Sequence, residues 1–197
     1  VNQDRKTLRA QMRRRRTQIP ANVRITAAQS LAKQLLALPF ASDCSHVAGY
    51  WAIDGEIALH AWQLALPTTV QYCLPLLHHD GRLRFAPWRA GQPIQANRYG
   101  IPEPQVETRN LLEPEAMGLV IIPLVAFDAH RNRLGMGAGW YDRSFAFRSS
   151  RYAPPWLVGA AFGLQQVETL PVAAWDVPLD AVCTEVTTHL PLTREPA

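Results

Sequence analysis

The run GLVIIPLVAF, residues 118–127, decides how this 197-residue chain is read. It is apolar at nearly every position, without the in–out alternation of a half-solvated strand. A strand buried on both faces in the middle of a parallel sheet has that pattern. Further strands are expected on either side of it in sequence, at HVAGYWA (46–52), TVQYCLPLL (69–77), PWLVGAAF (155–162) and DAVCTEV (180–186). Between them lie helical patterns. DRKTLRAQMRRRRTQI (4–19) sets Leu8, Met12 and Ile19 near one face and Arg5, Arg9, Arg13 and Arg16 on an adjacent one, with Pro20 as a stop. TAAQSLAKQLLAL (26–38) opens with Thr26 and Gln29 in capping-box spacing, followed by a Leu31, Leu35, Leu38 stripe. EIALHAWQLAL (56–66) and GWYDRSFAF (139–147) also read as helices. HHDGRLRFAPW (78–88) reads as a hairpin turned at Asp80-Gly81, and the Pro- and Gly-rich stretch 89–116 as loop. Strands alternating with helices predict an α/β domain with a mostly parallel sheet, whose ligands gather at the carboxyl ends of the strands.

The length suits one well-buried domain, residues 1–197, with a helical N-terminal segment over 1–40. No apolar run reaches the ~18 residues of a membrane span, and the first residues lack the apolar core of a signal peptide. A cytoplasmic protein with no membrane partner is therefore expected. Cys44, Cys73 and Cys183 lie far apart and form no CxxC pair, which suits a reducing compartment. The histidines, His78-His79 included, show no metal-ligand spacing.

The net charge of +4 is local. Residues 1–24 hold eight of the 20 Lys and Arg against one acid, Asp4, which leaves 12 basic and 15 acidic residues elsewhere, a formal −3. A basic terminal segment of that kind is the footprint of an anion-binding element.

Directly after the central strand comes RNRLGMGAGWYDRSF, residues 131–145. Gly135, Gly137 and Gly139 alternate, which fits neither the dinucleotide fingerprint GxGxxG nor the phosphate loop GxxxxGK[ST]. Alternating glycines still permit positive φ and let a polyphosphate approach the backbone N–H groups. Arg131 and Arg133 precede the loop, Arg143 follows it, and a helix starting near Gly139 would add a favourable dipole. Asp142 belongs beside phosphate only through a cation, and Mg²⁺ takes one or two carboxylates plus phosphate oxygens. The alternative from the residues alone is a surface loop, with Trp140 and Tyr141 plugging the core and Asp142 capping.

FDAHRNRLGMGAGWYDR, residues 127–143, resembles the glycine motif of the 5-formyltetrahydrofolate cyclo-ligase family, also called 5,10-methenyltetrahydrofolate synthetases. The likeness runs nearly end to end, through RKTLR (5–9), YWAIDGEIALHAW (50–62), RYGIPEP (98–104), VIIPLVAFD (120–128) and LPVAAWDVPLDAVCTE (170–185). It implies a three-layer α/β/α fold, Rossmann-like, in a single domain. It also implies an enzyme that uses ATP, with Mg²⁺ as cofactor, to convert 5-formyltetrahydrofolate to 5,10-methenyltetrahydrofolate with release of ADP and phosphate.

Carried over position by position, the resemblance implies that Arg5, Lys6 and Arg9 contact ATP. Arg133, Leu134, Gly135, Met136, Gly137, Ala138, Gly139, Trp140 and Tyr141 would wrap its phosphates. Met136 and Ala138 stand where many members carry basic residues or glycine. Asp142 and Asp176 are the implied magnesium carboxylates. Glu56 would contact the folate in a pocket walled by Tyr50, Trp51 and Ile53, with Trp140 stacking on a flat ring. Glu56, Arg133 and Tyr141 are the implied catalytic groups. From the residues alone Glu56 reads equally as the start of a helix, and Asp176 as a residue ordering the loop before Pro178. A monomer acting on small molecules, without nucleic acid, is expected. Two alternatives compete with this reading: a related α/β enzyme acting on a sugar phosphate or coenzyme A thioester without ATP, and a nucleic-acid-binding module using Arg13 to Arg16.

Overall fold

A computed structural model describes residues 2–191, with side chains from residue 5 onward; residues 1 and 192–197 of the expected domain lie outside the described residues. In chain order the helices are α1 (Asn2–Thr17), α2 (Ala21–Leu36), α3 (His60–Ala65) and α4 (Trp140–Ser144). The strands are β1 (His46–Ala48), β2 (Gln71–Leu77), β3 (Leu83–Pro87), β4 (Ile94–Ala96), β5 (Pro102–Pro104), β6 (Leu119–Pro123), β7 (Ala126–Phe127), β8 (Arg133–Leu134), β9 (Trp156–Ala160), β10 (Ala181–Cys183) and β11 (Thr188–His189).

Seven strands form one sheet in the order β11-β10-β9-β6-β1-β2-β3. The five inner strands run parallel, and β3 and β11 close the edges antiparallel. From β1 the chain winds outward to β2 and β3, then returns to the other flank of β1 as β6. Strand order thus reverses between β1 and β6, the place where open α/β sheets leave a crevice beyond the carboxyl ends.

The apolar run that opened the reading supplies both faces of this sheet. Leu119 and Ile121 of β6 pack with Leu31, Leu35 and Trp62 beneath α2 and α3. Val120 and Ile122 pack with Phe85, Phe127 and Phe145 on the opposite face. That second outer layer is thin, because α4 spans only five residues and irregular chain does the rest of the covering.

The run is nevertheless not one strand. Pro123 brings no N–H and ends the ladder, and the chain then leaves the sheet to build the small β7–β8 ribbon. Buried Gln165 donates to the released carbonyls of Leu124 and Val125 at 2.8 and 3.0 Å. Leu8 and Met12 of α1 pack on this ribbon, against Val125, Ala126 and Leu134, and away from the main sheet. The helix that carries Arg5 and Arg9 is thereby docked on the ribbon that feeds the glycine loop.

Other expectations shift. Pro20, not Thr26, stands at the start of α2. Thr26 lies inside the helix, and its hydroxyl donates to the Asn22 carbonyl at 3.2 Å. The helix begins earlier because Pro20 fits a helix start, where its missing N–H costs nothing. Residues 56–59 are not helical, since Asp54 and Gly55 take φ values of 49° and 75° and close a turn immediately before them. The expected loop 89–116 contains the β4–β5 ribbon. Among the described residues no helix is long and apolar enough to cross a membrane.

Candidate active site

The chain leaving β1, and the chain leaving β6 through the β7–β8 ribbon to the glycine loop, flank the switch point, and each carries part of the predicted site. On the first, Glu56 folds back on its own turn: its Oε2 accepts the Ile53 N–H at 3.1 Å, while its own N–H donates to the Ile53 carbonyl at 2.8 Å. The reading of Glu56 as a helix start is overturned, because α3 begins only at His60. The carboxylate is 7% exposed, and burial pushes its pKa up to about 7 against the pull of the Ile53 amide and Arg16. Buried Tyr50 gives its hydroxyl to the Ile57 carbonyl at 2.7 Å, so it is a wall of the crevice with no donor left for a ligand.

Trp51 stands half-exposed at the rim, its ring edge-on to Trp88 with centroids 6.0 Å apart. Tyr72 continues this aromatic wall between Trp88 and Trp62. Gly49 is required there, since a Cβ on it would sit 2.0 Å from the Tyr72 hydroxyl oxygen. Tyr72 and Trp88 were not predicted as site residues. Their only signal in the sequence is that apolar strand positions carry large aromatics instead of branched aliphatics.

On the second loop, Gly137 and Gly139 adopt positive φ, 102° and 68°, as the alternating glycines require. Among the described residues, no protein acceptor takes the backbone N–H of Met136, Gly137 or Ala138, and these three positions are exposed. Arg9 reaches across from α1 to the Gly135 carbonyl at 2.8 Å, and its guanidinium lies against Gly137. Lys6 is exposed on the same helix.

The expected dipole at the start of α4 amounts to little, because a helix of five residues aligns too few peptide units. Positive potential here comes from the arginines. Two of those flanking the loop spend their donors on backbone carbonyls. Arg131 turns to the carbonyls of Leu179 and Leu190, 3.4 Å from each. Arg143 donates at 2.8 Å to both Gly81 and Ala138 carbonyls, bracing the loop against the β2–β3 hairpin.

Trp140 is already engaged, with the guanidinium carbons of Arg143 and Arg98 at 5.0 and 5.5 Å from its ring centre. A ligand ring stacking on it would displace Arg98, which also lies over Tyr99. Segment RYG (98–100) was recognised only as part of the resemblance, and the structure brings it to Trp140.

The implied metal carboxylates each sit in an ion pair. Asp142 Oδ1 accepts from Arg133 and from the Val177 N–H. Asp176 Oδ2 accepts from Arg5 at 2.6 Å and from the Ala173 N–H at 2.8 Å, so Asp176 does order its loop as well. Arg133 is buried and also donates to the Val177 carbonyl. Burial lowers the Arg133 pKa, while Asp142 and Asp176 both hold it up, so the two carboxylates share one field. In each, the second oxygen has no protein donor among the described residues. No group of three or more His, Cys, Asp or Glu side chains that could hold a metal occurs among the described residues. Two part-free carboxylates fit Mg²⁺, which keeps waters and phosphate oxygens as its remaining ligands.

Tyr141 joins the two halves. Burial raises its pKa, as does the Glu56 carboxylate, while Arg133 lowers it. Tyr141 thus lies within the fields of both Glu56 and Arg133.

Comparison with known proteins identifies the family. The sequence model of the 5-formyltetrahydrofolate cyclo-ligase family matches residues 1–185. The 5-formyltetrahydrofolate cyclo-ligase of Haemophilus influenzae is 35% identical over 181 residues, covering 90% of this chain and 95% of that protein. The Escherichia coli K12 protein of the same name is 33% identical over 180 residues, 88% of this chain and 96% of its own length. Among solved structures, Aquifex aeolicus 5,10-methenyltetrahydrofolate synthetase superposes with a TM-score of 0.82 at 26% identity, covering 98% of this chain and 96% of that one. The chain belongs to the 5-formyltetrahydrofolate cyclo-ligase family.

Proposed function

We propose that this protein converts 5-formyltetrahydrofolate to 5,10-methenyltetrahydrofolate at the expense of ATP, with the folate held by the loop after β1 and the nucleotide by the loop after β8. The observation that carries the reading is the family match over residues 1–185, together with the exposed glycine-loop amides beside Arg9 and the buried Glu56 carboxylate on the loop after β1. A reaction joining two substrates needs two such half-sites on facing loops.

The formyl oxygen attacks the γ-phosphorus, and the bond to ADP breaks. N10 then adds to the activated formyl carbon, its proton leaves, and the carbon–oxygen bond breaks to release phosphate. The amides of residues 136–138, with Arg9, receive the phosphates. Arg5 and Arg133 hold Asp176 and Asp142 in place. Bound with the nucleotide, Mg²⁺ would be held by Asp142 and Asp176 and would neutralise charge on the phosphate oxygens during transfer. Glu56, tuned near neutrality, accepts the N10 proton. Trp51, Trp88 and Tyr72 wall the space for the flat pterin. We place the reaction in the cytoplasm and take the working unit to be a monomer; three buried free thiols support a reducing compartment.

Purified protein with 5-formyltetrahydrofolate should gain methenyl absorbance only when MgATP is present. Folded protein that makes no ATP-dependent product would sink the proposal. Arg9→Ala tests the nucleotide half: losing a charge-assisted bond should raise KM for ATP about tenfold, with KM for the folate nearly unmoved. Equal effects on both would show that Arg9 only supports the loop.

A further inference from the structure

Four consecutive arginines, Arg13 to Arg16, close α1, and the helix aims each in a different direction. Arg13 reaches the Asp54 carboxylate at 2.6 Å from an exposed position. Arg14 and Arg15 are exposed. Arg16 points inward and is 1% exposed. Its Nε and one terminal nitrogen donate to the Asp54 carbonyl at 3.1 and 2.9 Å. Its other terminal nitrogen donates to the Leu124 carbonyl at 3.2 Å and lies 3.9 Å from Glu56 Oε1. Asp54 follows β1 and Leu124 follows β6, so one guanidinium is bonded to both loops that leave the sheet where its order reverses.

We propose that Arg16 is a positioning residue for Glu56, clamping the two loops of the crevice and fixing the carboxylate that meets the folate. The proposal rests on the reading of Glu56 given above. A buried guanidinium is costly to desolvate, and a leucine or methionine would continue the Leu8–Met12 stripe without that cost. A cation at this place therefore meets a demand that packing does not make: two loop carbonyls and two carboxylates, Asp54 Oδ2 at 3.4 Å and buried Glu56 Oε1 at 3.9 Å. The groups that act on Glu56 are Arg16 from α1, Asp54 from its own turn, Tyr50 from the loop after β1, and Tyr141 from α4. Arg16 is the cation among them, and it opposes the effects of burial and of Asp54. The arginines of α1 thus serve both substrates, with Arg5 and Arg9 toward the nucleotide and Arg16 toward the folate.

The test is a carbon-13 NMR titration of the Glu56 carboxyl, assigned by its absence in Glu56→Gln. Arg16→Gln should raise the proton affinity of Glu56 about tenfold, one pKa unit, and Arg16→Lys should leave it close to wild type. An unchanged midpoint in Arg16→Gln overturns the proposal. In turnover, Arg16→Lys should raise KM for 5-formyltetrahydrofolate about tenfold, because lysine cannot bridge two loops, while KM for ATP stays put. A rise confined to ATP also overturns it. Should Arg16→Gln fail to fold, the KM split in Arg16→Lys decides. The titration requires no turnover, so it judges Arg16 even where wild-type inactivity has removed the functional reading. Conversely, an unchanged folate KM in Glu56→Gln removes that reading and leaves the titration standing.

Discussion

Glutamine in place of Glu56 is expected to give a protein that is more stable above neutral pH and nearly inactive. The native carboxyl titrates near 7, against an ordinary value of 4.5. Between those values the folded chain holds a proton that the unfolded chain has lost, so stability falls as pH rises through this window and is fully present only below 4.5. The shift corresponds to roughly 3 kcal/mol at its upper bound, and the side chain is buried enough for most of it to be felt. Glutamine removes the ionisation and keeps an acceptor for the Ile53 N–H. At pH 8 the variant should melt roughly 6–12 °C higher than wild type, with the difference vanishing near pH 4.5. Turnover should fall about a hundredfold or more, the usual loss for a displaced proton acceptor. Melting curves that match wild type at pH 8 would mean that the carboxylate is not strained in the fold. Retained turnover would mean that it does not take the N10 proton.

Asp142→Asn should act in the opposite direction on stability and in the same direction on rate. Removing one partner of a buried pair leaves an uncompensated charge, here on Arg133, whose side chain is 5% exposed against 24% for Asp142. Because the acid side is part-exposed, the expected destabilisation is about 2 kcal/mol, below the range for fully buried pairs. The Mg²⁺ concentration giving half-maximal rate should rise at least about tenfold as a carboxylate ligand is lost. Arg133→Lys disturbs the same pair from the other side: it should lower the melting temperature and, by loosening Asp142, raise the Mg²⁺ requirement by less than Asp142→Asn does. If Asp142→Asn lowers stability but leaves rate and Mg²⁺ dependence unchanged, Asp142 is a strut for Arg133 and holds no metal.

What could be read from the sequence depended on how local the cause was. The inner strands were legible because residues such as Ile121 and Ile122 are apolar on both faces, which few other structures require. The glycine loop was legible because its conformation needs residues without Cβ. The break at Leu124 was not. Pro123 announced it, but where the released carbonyls go is decided by Gln165, 41 residues beyond Leu124. The capping signal at Thr26 misled because a competing start at Pro20 was better placed. Glu56 was recognised only by resemblance, since its role depends on a turn made by Asp54 at φ 49°. Arg98 and Trp88 were missed as site residues because nothing adjacent in sequence links them to Trp140 or Trp51. Arg16 had a local signature all the same: it falls four residues after Met12, on the buried stripe of the helix, where an arginine is out of place unless something inside requires it.

For a chain under mutation, then, the run Arg13 to Arg16 is not four equivalent targets. Codons for Arg14 and Arg15 can drift to lysine or glutamine at little cost, since both side chains are exposed and Arg15 adds only a weak bond to the Met12 sulfur at 3.7 Å. At Arg16 even the change that chemists call conservative leaves the Asp54 carbonyl short of a donor and parts the two loops that the helix holds together. A segment that looks like low-information charge from outside is, at its last residue, a buried bridge between two loops.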